Sequence, residues 1–463
     1  MNTASRMAVE RHASTFAPRP RHPRRAAIED ALALALRRAE GLFGVVGIFL
    51  FSGALVPLLL SKSGVDLSSG DGGNFLLRGI YSCIYAGSLF LVAVRWRRSL
   101  AVALRSWATL ALVGLALASV AWSAAPDLTL RRSFALLGTT AFGVLLAERY
   151  DTRQLLKLLA VTFGIAAVMS LAFSVGLPSY GLDEGEHAGA WRGIYPQKNG
   201  LGQTMVLATL VFYLLRPLVT GPARAAVTGM MALSTLLVLL STSKTALTAL
   251  AALLALSALY RALRWHFTIA LPVLISVVLV GSGIALWLLS NSEEILVAMG
   301  KDPTLTGRTP MWEAITASIA ERPWLGYGYS AFWMGKNGPS ARVIEVIEWV
   351  TPHAHNGYLD VALQVGLVGL AVFLAGLIAA VPRAVAGLRA TPTADGLWPL
   401  VFLSYMVLYN FTETTLLQQN NVYWALFVAT LCSPLLHPAV RGRVAGAVGP
   451  PRAPLPRSYA GAA

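Results

Sequence analysis

Long apolar runs dominate the sequence between Leu42 and Leu436. Each is about 17 to 25 residues long, enough for a helix to cross a hydrocarbon core of about 30 Å. The runs are continuous rather than alternating, and a helix satisfies its own backbone polar groups in lipid, so they predict helices and not barrel strands. The 56% hydrophobic and 13% charged content fits a chain that folds in a bilayer. The sequence therefore predicts an all-α, polytopic integral membrane protein.

The apolar runs predict twelve transmembrane helices. We expect the spans at residues 42–60, 75–94, 106–122, 132–147, 155–177, 200–215, 225–241, 245–260, 267–290, 356–381, 397–415 and 418–436. The predicted organisation is a disordered basic cytoplasmic tail (1–41), nine spans (42–290), a large periplasmic loop (291–355), three spans (356–436) and a second disordered cytoplasmic tail (437–463). Cys83 and Cys432 fall within spans, where a free thiol behaves as a small apolar side chain.

The net charge of +15 is explained by topology. Lys and Arg accumulate in cytoplasmic loops of membrane proteins, and a cytoplasmic N-terminus places most of the 37 basic residues of this chain inside. No nucleic-acid partner is needed to account for the charge. The basic residues predicted outside, which insertion rules disfavour, are Lys62, Arg78, Arg131, Arg132, Arg192, Lys198, Lys244, Lys301, Arg308, Arg322, Lys336 and Arg342.

The outer loop 291–355 is longer than an ordinary connection, and loops of this length are usually functional or disordered. Thr309 and Pro310 predict the start of a short helix. Its apolar residues, including Trp312 and Ile315, predict an amphipathic helix on the membrane surface. The aromatic residues of 324–333 fit either a belt at the membrane interface or a platform for sugar rings.

The segment Pro352–Asp360 is the strongest local signal for chemistry. Asn356, Asp360 and Gln364 are spaced four apart, which places them on one face of a helix. Polar groups are expensive at membrane depth, so this stripe should face a cavity within the protein. His355 at the mouth of such a cavity could act as a general base. The alternative is an interfacial histidine bonded to a loop carbonyl.

Several outward cations occur at loop ends close to the bilayer: Arg192, Lys198, Lys244 and Arg308. Arg offers a fork of donors to phosphate oxygens and Lys a point charge, so together they suit a diphosphate. Singly, each could instead contact lipid headgroups.

A metal-dependent mechanism would favour acidic ligands, and the outer loops contain no Asp-x-Asp pair. His353, His355 and Asp360 could bind a transition metal. We favour chemistry without a metal or another cofactor.

These segments resemble the O-antigen ligase/polymerase family of bacterial envelope enzymes. The ligase-type pattern is His, then Asn, Ser or Gln, nine residues, Gly, two residues, and Gly, Thr or Tyr. It is met by His355, Asn356, Gly366 and Gly369. Further matching segments, in family order, are Lys198-Asn199, Gly307-Arg308 with Trp312, and Arg322 to Gly328.

The resemblance implies a GT-C-like membrane fold and a metal-independent glycosyltransferase at the periplasmic face of the inner membrane. The donor would be an undecaprenyl-diphosphate-linked oligosaccharide, and the acceptor a glycan or a lipid A core. His355 would be catalytic, and Arg308 and Arg192 would bind the donor diphosphate. Membrane lipid and polysaccharide export proteins are the other partners considered.

The stretch Tyr195–Gly202 resembles exopolysaccharide polymerases more than ligases, which favours polymerisation. The alternatives are an O-antigen ligase acting on lipid A core, a transporter or flippase of lipid-linked oligosaccharide, and a structural membrane scaffold.

Overall fold

A computed structural model describes residues 23–56, 58, 75–184, 188–265, 268 and 308–437. Apart from residue 268, the predicted span 267–290 lies outside these residues, as does the beginning of the outer loop. The chain divides into two compact units, Met1–Val46 and Gly47–Ala463. The described part of the first unit is helical. The candidate site lies in the second unit.

The described residues are almost entirely helical. The α-helices are α1 (Pro23–Phe51), α2 (Phe75–Val94), α3 (Trp96–Ala103), α4 (Trp107–Ala118), α5 (Pro126–Arg149), α6 (Thr152–Gly176), α7 (Pro178–Gly181), α8 (Lys198–Leu215), α9 (Gly221–Leu240), α10 (Lys244–Ala262), α11 (Arg308–Glu321), α12 (Ala341–Ile347), α13 (Gly357–Ala390), α14 (Trp398–Tyr409) and α15 (Val422–Leu431). Short 3₁₀ helices occupy Ser119–Ala121, Arg216–Leu218, Gly335–Asn337, Ala394–Leu397 and Pro434–Leu436. Within the described part, strand pairing is limited to an isolated bridge between Leu182 and Trp191.

The fold is that of a polytopic membrane protein, as predicted. Seven helices in the described residues are long and apolar enough to cross a membrane: α2, α5, α6, α8, α9, α10 and α13. The pair formed by α3 and the helical stretch from Trp107 to Ala121 is bent by 99° and makes an eighth candidate. The described residues therefore do not confirm a count of twelve.

The differences from the predicted spans have local causes. The span expected at 42–60 belongs to α1, which begins at Pro23 and ends at Phe51, so the predicted tail 1–41 is helical from Pro23 onward. In the regions of the spans expected at 397–415 and 418–436, the α-helices are short: the apolar helices are Ala394–Tyr409 and Val422–Leu431. Residues 410–421 between them are mostly polar and form turns and bends.

Helix α13 is kinked at Gly366, and the segment 323–328 inserts at the kink. Gly366 has a φ of 71°, and a side chain there would place its Cβ 2.0 Å from the Trp324 carbonyl oxygen. An amide of the segment donates to the Leu363 carbonyl at 2.8 Å, and the Leu367 amide donates to a segment carbonyl at 2.7 Å. These bonds satisfy backbone groups that the kink removes from the helix ladder. The kink thereby attaches the outer loop to a membrane span.

The apolar face of helix α11 packs against the protein, and the position of this helix at the membrane surface stays a prediction. Met311 and Ile315 are buried in a cluster with Tyr327, Phe332, Val343, Ala354 and Leu363. The loop itself supplies the apolar surface that covers this helix. The interfacial belt and the sugar platform are therefore both wrong for Tyr327, Tyr329 and Phe332, which are buried. Trp324 remains exposed.

Candidate active site

In the described part of the chain, helices α8, α10, α11 and α13 begin close to one another. Asn199, in the first turn of α8, accepts a hydrogen bond from Ser243, the N-cap of α10, at 3.0 Å. Asn199 also donates to Glu413 at 3.3 Å. Arg308, the first residue of α11, donates at 3.3 Å to the carbonyl of Thr412, the residue before Glu413. A helix N-terminus carries a partial positive charge, so this convergence favours an anion.

The backbone around His355 is fixed by its neighbours and is strained. His355 has a φ of 48°, a conformation that costs an L-residue about 1–3 kcal/mol and occurs frequently at active sites. The Trp312 indole donates to the Ala354 carbonyl at 2.9 Å. The Asn356 side chain caps α13 by accepting from the Tyr358 amide at 3.0 Å, so it turns back to the helix rather than extending the polar stripe. These contacts hold the backbone of His355 in a conformation that a regular helix does not contain.

Glu413 lies beside His355 and belongs to none of the sequence motifs. The distance from His355 Nδ1 to Glu413 Oε2 is 3.8 Å, and 19% of the His355 side chain and 15% of the Glu413 side chain are exposed. Within the described protein, this Nδ1 has no hydrogen-bond partner. The separation is that of an ion pair, and catalytic contacts often shorten only when substrate binds.

The Glu413 carboxyl is held in its ionised form. Burial raises its pKa, but the contact with His355 and the electrostatic effects of His353, His355 and Arg308 outweigh burial and bring the pKa below its usual range. The site thus pairs His355 with a carboxylate. One feature of the sequence points to Glu413. Glu413 lies inside the predicted span 397–415, and an ionisable residue within a span indicates a functional role by default.

His353, Asp360 and Gln364 line a cavity of about 230 Å³ next to this pair. The Asp360 carboxylate accepts from the Trp333 indole at 2.7 Å, the Ala354 amide at 3.1 Å and the Thr414 hydroxyl at 2.5 Å. Asp360 therefore ties together the three segments around the site.

The neighbours of the cavity residues fix their chemical states. Gln364 accepts from the Ser330 amide at 2.9 Å. His353 Nδ1 accepts from the His355 amide at 3.3 Å. Burial, reinforced by His355, lowers the pKa of His353 to about 4, so His353 is neutral at pH 7.

The grouping that could hold a metal differs from the predicted one. Ligand atoms of His353, His355 and Glu413 all lie within 4.8 Å of one another. Asp360, expected as the third member, is instead engaged by its three donors. Two imidazoles and a carboxylate suit a transition metal.

The predicted diphosphate ligands occupy two kinds of position. Arg308, Lys198 and Lys244 are the first residues of α11, α8 and α10, the helices that meet at Asn199 and Glu413. Arg192 instead donates to the Ser179 and Tyr180 carbonyls at 3.1 and 3.0 Å. One guanidinium nitrogen of Arg192 lies 3.9 Å from Asp183, which also accepts from the Lys198 amide. These contacts join the Arg192 loop to the start of α8.

Fold and site together define a polytopic membrane protein in which a histidine–carboxylate pair lies among cationic helix N-termini. A family model described as O-antigen ligase matches residues 229–374, which include Arg308, Trp312 and His355. The resemblance to the O-antigen ligase/polymerase family is thereby confirmed.

Two curated proteins are similar to the chain. It is 27% identical to the exopolysaccharide production protein ExoQ of Rhizobium meliloti (strain 1021) over 271 residues, 57% of this chain and 61% of that protein. It is 32% identical to a putative polysaccharide ligase of Rickettsia prowazekii (strain Madrid E) over 79 residues, 16% of this chain and 20% of that protein. The alignments therefore span about three fifths of the first relative and a fifth of the second.

Proposed function

We propose that this protein is a metal-independent glycosyltransferase that polymerises undecaprenyl-diphosphate-linked glycan on the periplasmic face of the bacterial inner membrane. The observation that carries the proposal is the approach of His355 to Glu413, at 3.8 Å, among the N-termini of α8, α10 and α11. This arrangement provides a base and an anion site within a short distance. Both are needed to displace a lipid diphosphate with a hydroxyl group.

The reaction forms one bond and breaks one. The acceptor hydroxyl oxygen attacks the anomeric carbon of the donor sugar, and the bond from that carbon to the diphosphate oxygen breaks. The lipid diphosphate departs with the electron pair, and the hydroxyl proton passes to His355. Direct displacement inverts the anomeric centre. A diphosphate is already a good leaving group, so the protein needs to neutralise charge and remove a proton.

His355 is the proposed general base. Its Nδ1 faces Glu413, which leaves Nε2 for the acceptor hydroxyl. When the imidazole takes the proton it becomes positive, and the adjacent carboxylate stabilises that charge and orients the ring. A positioned general base contributes about 10²- to 10⁴-fold to the rate.

Arg308 is the proposed principal ligand of the donor diphosphate. A guanidinium has five N–H donors, so its bond to the Thr412 carbonyl leaves others for phosphate oxygens. Lys198 and Lys244 add charge at the starts of α8 and α10, where the helix dipoles favour the same anion. Arg192 acts on this site by positioning the loop before α8, and its direct contact with the diphosphate stays a prediction.

Two features favour polymerisation. The relative with the longer alignment is named for exopolysaccharide production. The stretch Tyr195–Gly202 resembles the corresponding stretch of exopolysaccharide polymerases. The alternative is ligation of the glycan to a lipid A core, which the family description and the second relative favour. Transport is less well supported, because the polar and charged groups described here cluster where helices begin rather than along a path through the spans.

The test is transfer by purified protein in nanodiscs. The protein is incubated with an undecaprenyl-diphosphate oligosaccharide alone and, separately, with an added lipid A core acceptor. A ladder of longer lipid-linked glycans without the added acceptor supports polymerisation. Glycan found only on lipid A core supports ligation, and no new glycosidic bond in either arm contradicts the proposal. EDTA should leave the rate unchanged; a loss that a divalent ion restores would replace general-base chemistry with metal chemistry at His353, His355 and Glu413.

A further inference from the structure

A second cavity, of about 340 Å³, lies between α2, α5 and the connection before α15. Three arginines line it: Arg78 in the first turn of α2, and Arg131 and Arg132 near the start of α5. The other lining residues are Leu77, Tyr81, Ser82, Tyr85, Leu128, Ala135, Gln419 and Asn420. The lining is thus partly cationic and partly aromatic and aliphatic. The function proposed above assigns no role to these arginines.

The arginine-lined cavity adjoins the cavity that contains His353. Arg132 and Gln419 line both. The wall between them is fixed, because the Tyr329 hydroxyl is 2.6 Å from the Gln419 side-chain oxygen and the Asn420 amide donates to Thr139 at 3.0 Å. Tyr85 of α2 also hydrogen-bonds Asn420. A group bound in one cavity is therefore a near neighbour of a group bound in the other.

Both cavities are lined by Arg132, near the beginning of α5. The Thr129 hydroxyl, at the start of α5, donates to the Tyr329 carbonyl at 2.9 Å. The Ala124 amide donates to the Tyr327 carbonyl at 2.8 Å. These bonds attach the beginning of α5 to the outer loop. In the predicted topology, all three arginines are on the same side of the membrane as His355.

The charge of the arginine-lined cavity suits phosphate. Arg131 donates to the Asp127 carbonyl at 3.4 Å, and Arg132 donates to the Ser330 carbonyl at 3.3 Å. A guanidinium has five N–H donors, so each of these bonds occupies only one of them. The described residues that line the cavity include no carboxylate. Guanidinium groups bind phosphate oxygens through paired hydrogen bonds. The apolar residues of the lining can contact the first carbons of a lipid chain.

We propose that the arginine-lined cavity binds the phosphate of the acceptor lipid, separately from the donor diphosphate near Arg308. This inference rests on the proposed function, since only a transferase needs two lipid-borne glycans side by side. The shared chemistry is a phosphate that a lipid carries at the membrane surface. Its source is a second polyprenyl-diphosphate glycan if the enzyme polymerises, or a phosphorylated lipid A core if it ligates.

The test is a binding measurement that needs no transfer. Purified protein in phosphatidylcholine nanodiscs is titrated with sugar-free undecaprenyl diphosphate, and bound lipids are counted by native mass spectrometry. Wild-type protein should bind two probes per chain and Arg78→Gln/Arg131→Gln one, because the second cavity loses two guanidinium groups. Arg342→Gln, a matched change of an exposed outer arginine that pairs with Glu321, should bind two. Arg78→Lys/Arg131→Lys, which keeps the charge, should show intermediate affinity.

Further arms identify the source of the phosphate and separate this inference from the proposed function. Phosphorylated lipid A core replaces the probe in one arm, and phosphatidylglycerol in another. In transfer assays the double Gln variant should raise the KM for the acceptor roughly tenfold, with an unchanged KM for the donor.

Two results would overturn the inference: two probes still bound by the folded double Gln variant, or equal competition by phosphatidylglycerol, which would indicate an ordinary headgroup contact. If two probes bind, one is lost in the variant and no transfer occurs, the cavity assignment stands and the proposed function fails.

Discussion

At the residue scale, the properties of His355 depend on a carboxylate from a distant part of the sequence. Glu413 lies 3.8 Å from the imidazole and is itself held by Asn199 at 3.3 Å. Two hydrogen bonds, from Ser243 to Asn199 and from Asn199 to Glu413, join three helix connections at one point. A general base that is oriented by an acidic neighbour is a common arrangement in enzymes.

Glu413→Gln should reduce turnover about tenfold to a hundredfold, less than removal of a general base, which costs about 10²- to 10⁴-fold. Glutamine keeps an oxygen for Asn199 but cannot stabilise a positive imidazole. Initial rates at saturating donor measure the effect, and the folded yield of the variant is the control. An unchanged rate would remove Glu413 from the mechanism.

Acidification should destabilise the protein through His353 and Glu413. Burial holds the pKa of His353 at about 4, whereas an unfolded histidine titrates near 6.5, so between these values the unfolded chain binds a proton that the folded protein does not. The pKa of Glu413 is depressed, so its contribution is also lost as pH falls. Stability should therefore decrease as pH falls from about 6.5 to 4, by on the order of 2 kcal/mol for His353.

The measurement is the thermal unfolding midpoint in detergent from pH 7 to 4. The matched variant is His353→Asn, which keeps an acceptor for the His355 amide but cannot become charged in this range. Its midpoint should depend less on pH than that of the wild type. Equal slopes for the two proteins would contradict the assignment.

At the scale of elements, the packing of α13 explains the two glycines with which this chain meets the family pattern. Gly366 takes a left-handed φ of 71° against the Trp324 carbonyl, and Gly369 packs against Val365. The segment 323–328 occupies the space that the kink opens. The sequence supports a site at the start of α13, but a continuous apolar run gives no sign of the kink, because the residues that cause it lie in a loop many positions away.

Gly366→Ala should destabilise the protein by several kcal/mol or prevent its accumulation, since its Cβ would lie 2.0 Å from the Trp324 carbonyl oxygen and its φ would be unfavourable. Gly114→Ala is the matched control, because a Cβ there meets nothing within 4 Å and alanine favours the helix. Folded yield and thermal unfolding in detergent measure both. Equal stability of the two variants would show that the kink is not required.

At the scale of the whole molecule, much of the architecture follows from hydropathy, and the pairing of site residues does not. Apolar runs predict all-helical membrane structure, which is confirmed, because backbone groups in lipid leave few alternatives. The number of spans is not confirmed, since the turns at 410–421 leave only short apolar helices in two predicted spans and most of the predicted span 267–290 lies outside the described residues. Glu413 escapes prediction because its role depends on contacts with residues more than fifty positions away.

The predicted orientation places the segment around Lys336 outside the cytoplasm. Lys336 is exposed in a short 3₁₀ helix, so a cysteine there is accessible. Lys336→Cys, in a background with Cys83→Ser because Cys83 is also exposed, should react with an impermeant maleimide in intact spheroplasts. The background without the new cysteine is the control. Labelling only after lysis would invert the topology.

The most direct test of the central claim is glycan transfer by His355→Asn. Asparagine tolerates the left-handed backbone of this position, so the change removes the imidazole with little added strain. We expect transfer to fall by at least about a hundredfold, while binding of undecaprenyl diphosphate and thermal stability stay at wild-type values. A His355→Asn protein that transfers glycan at the wild-type rate would contradict the account.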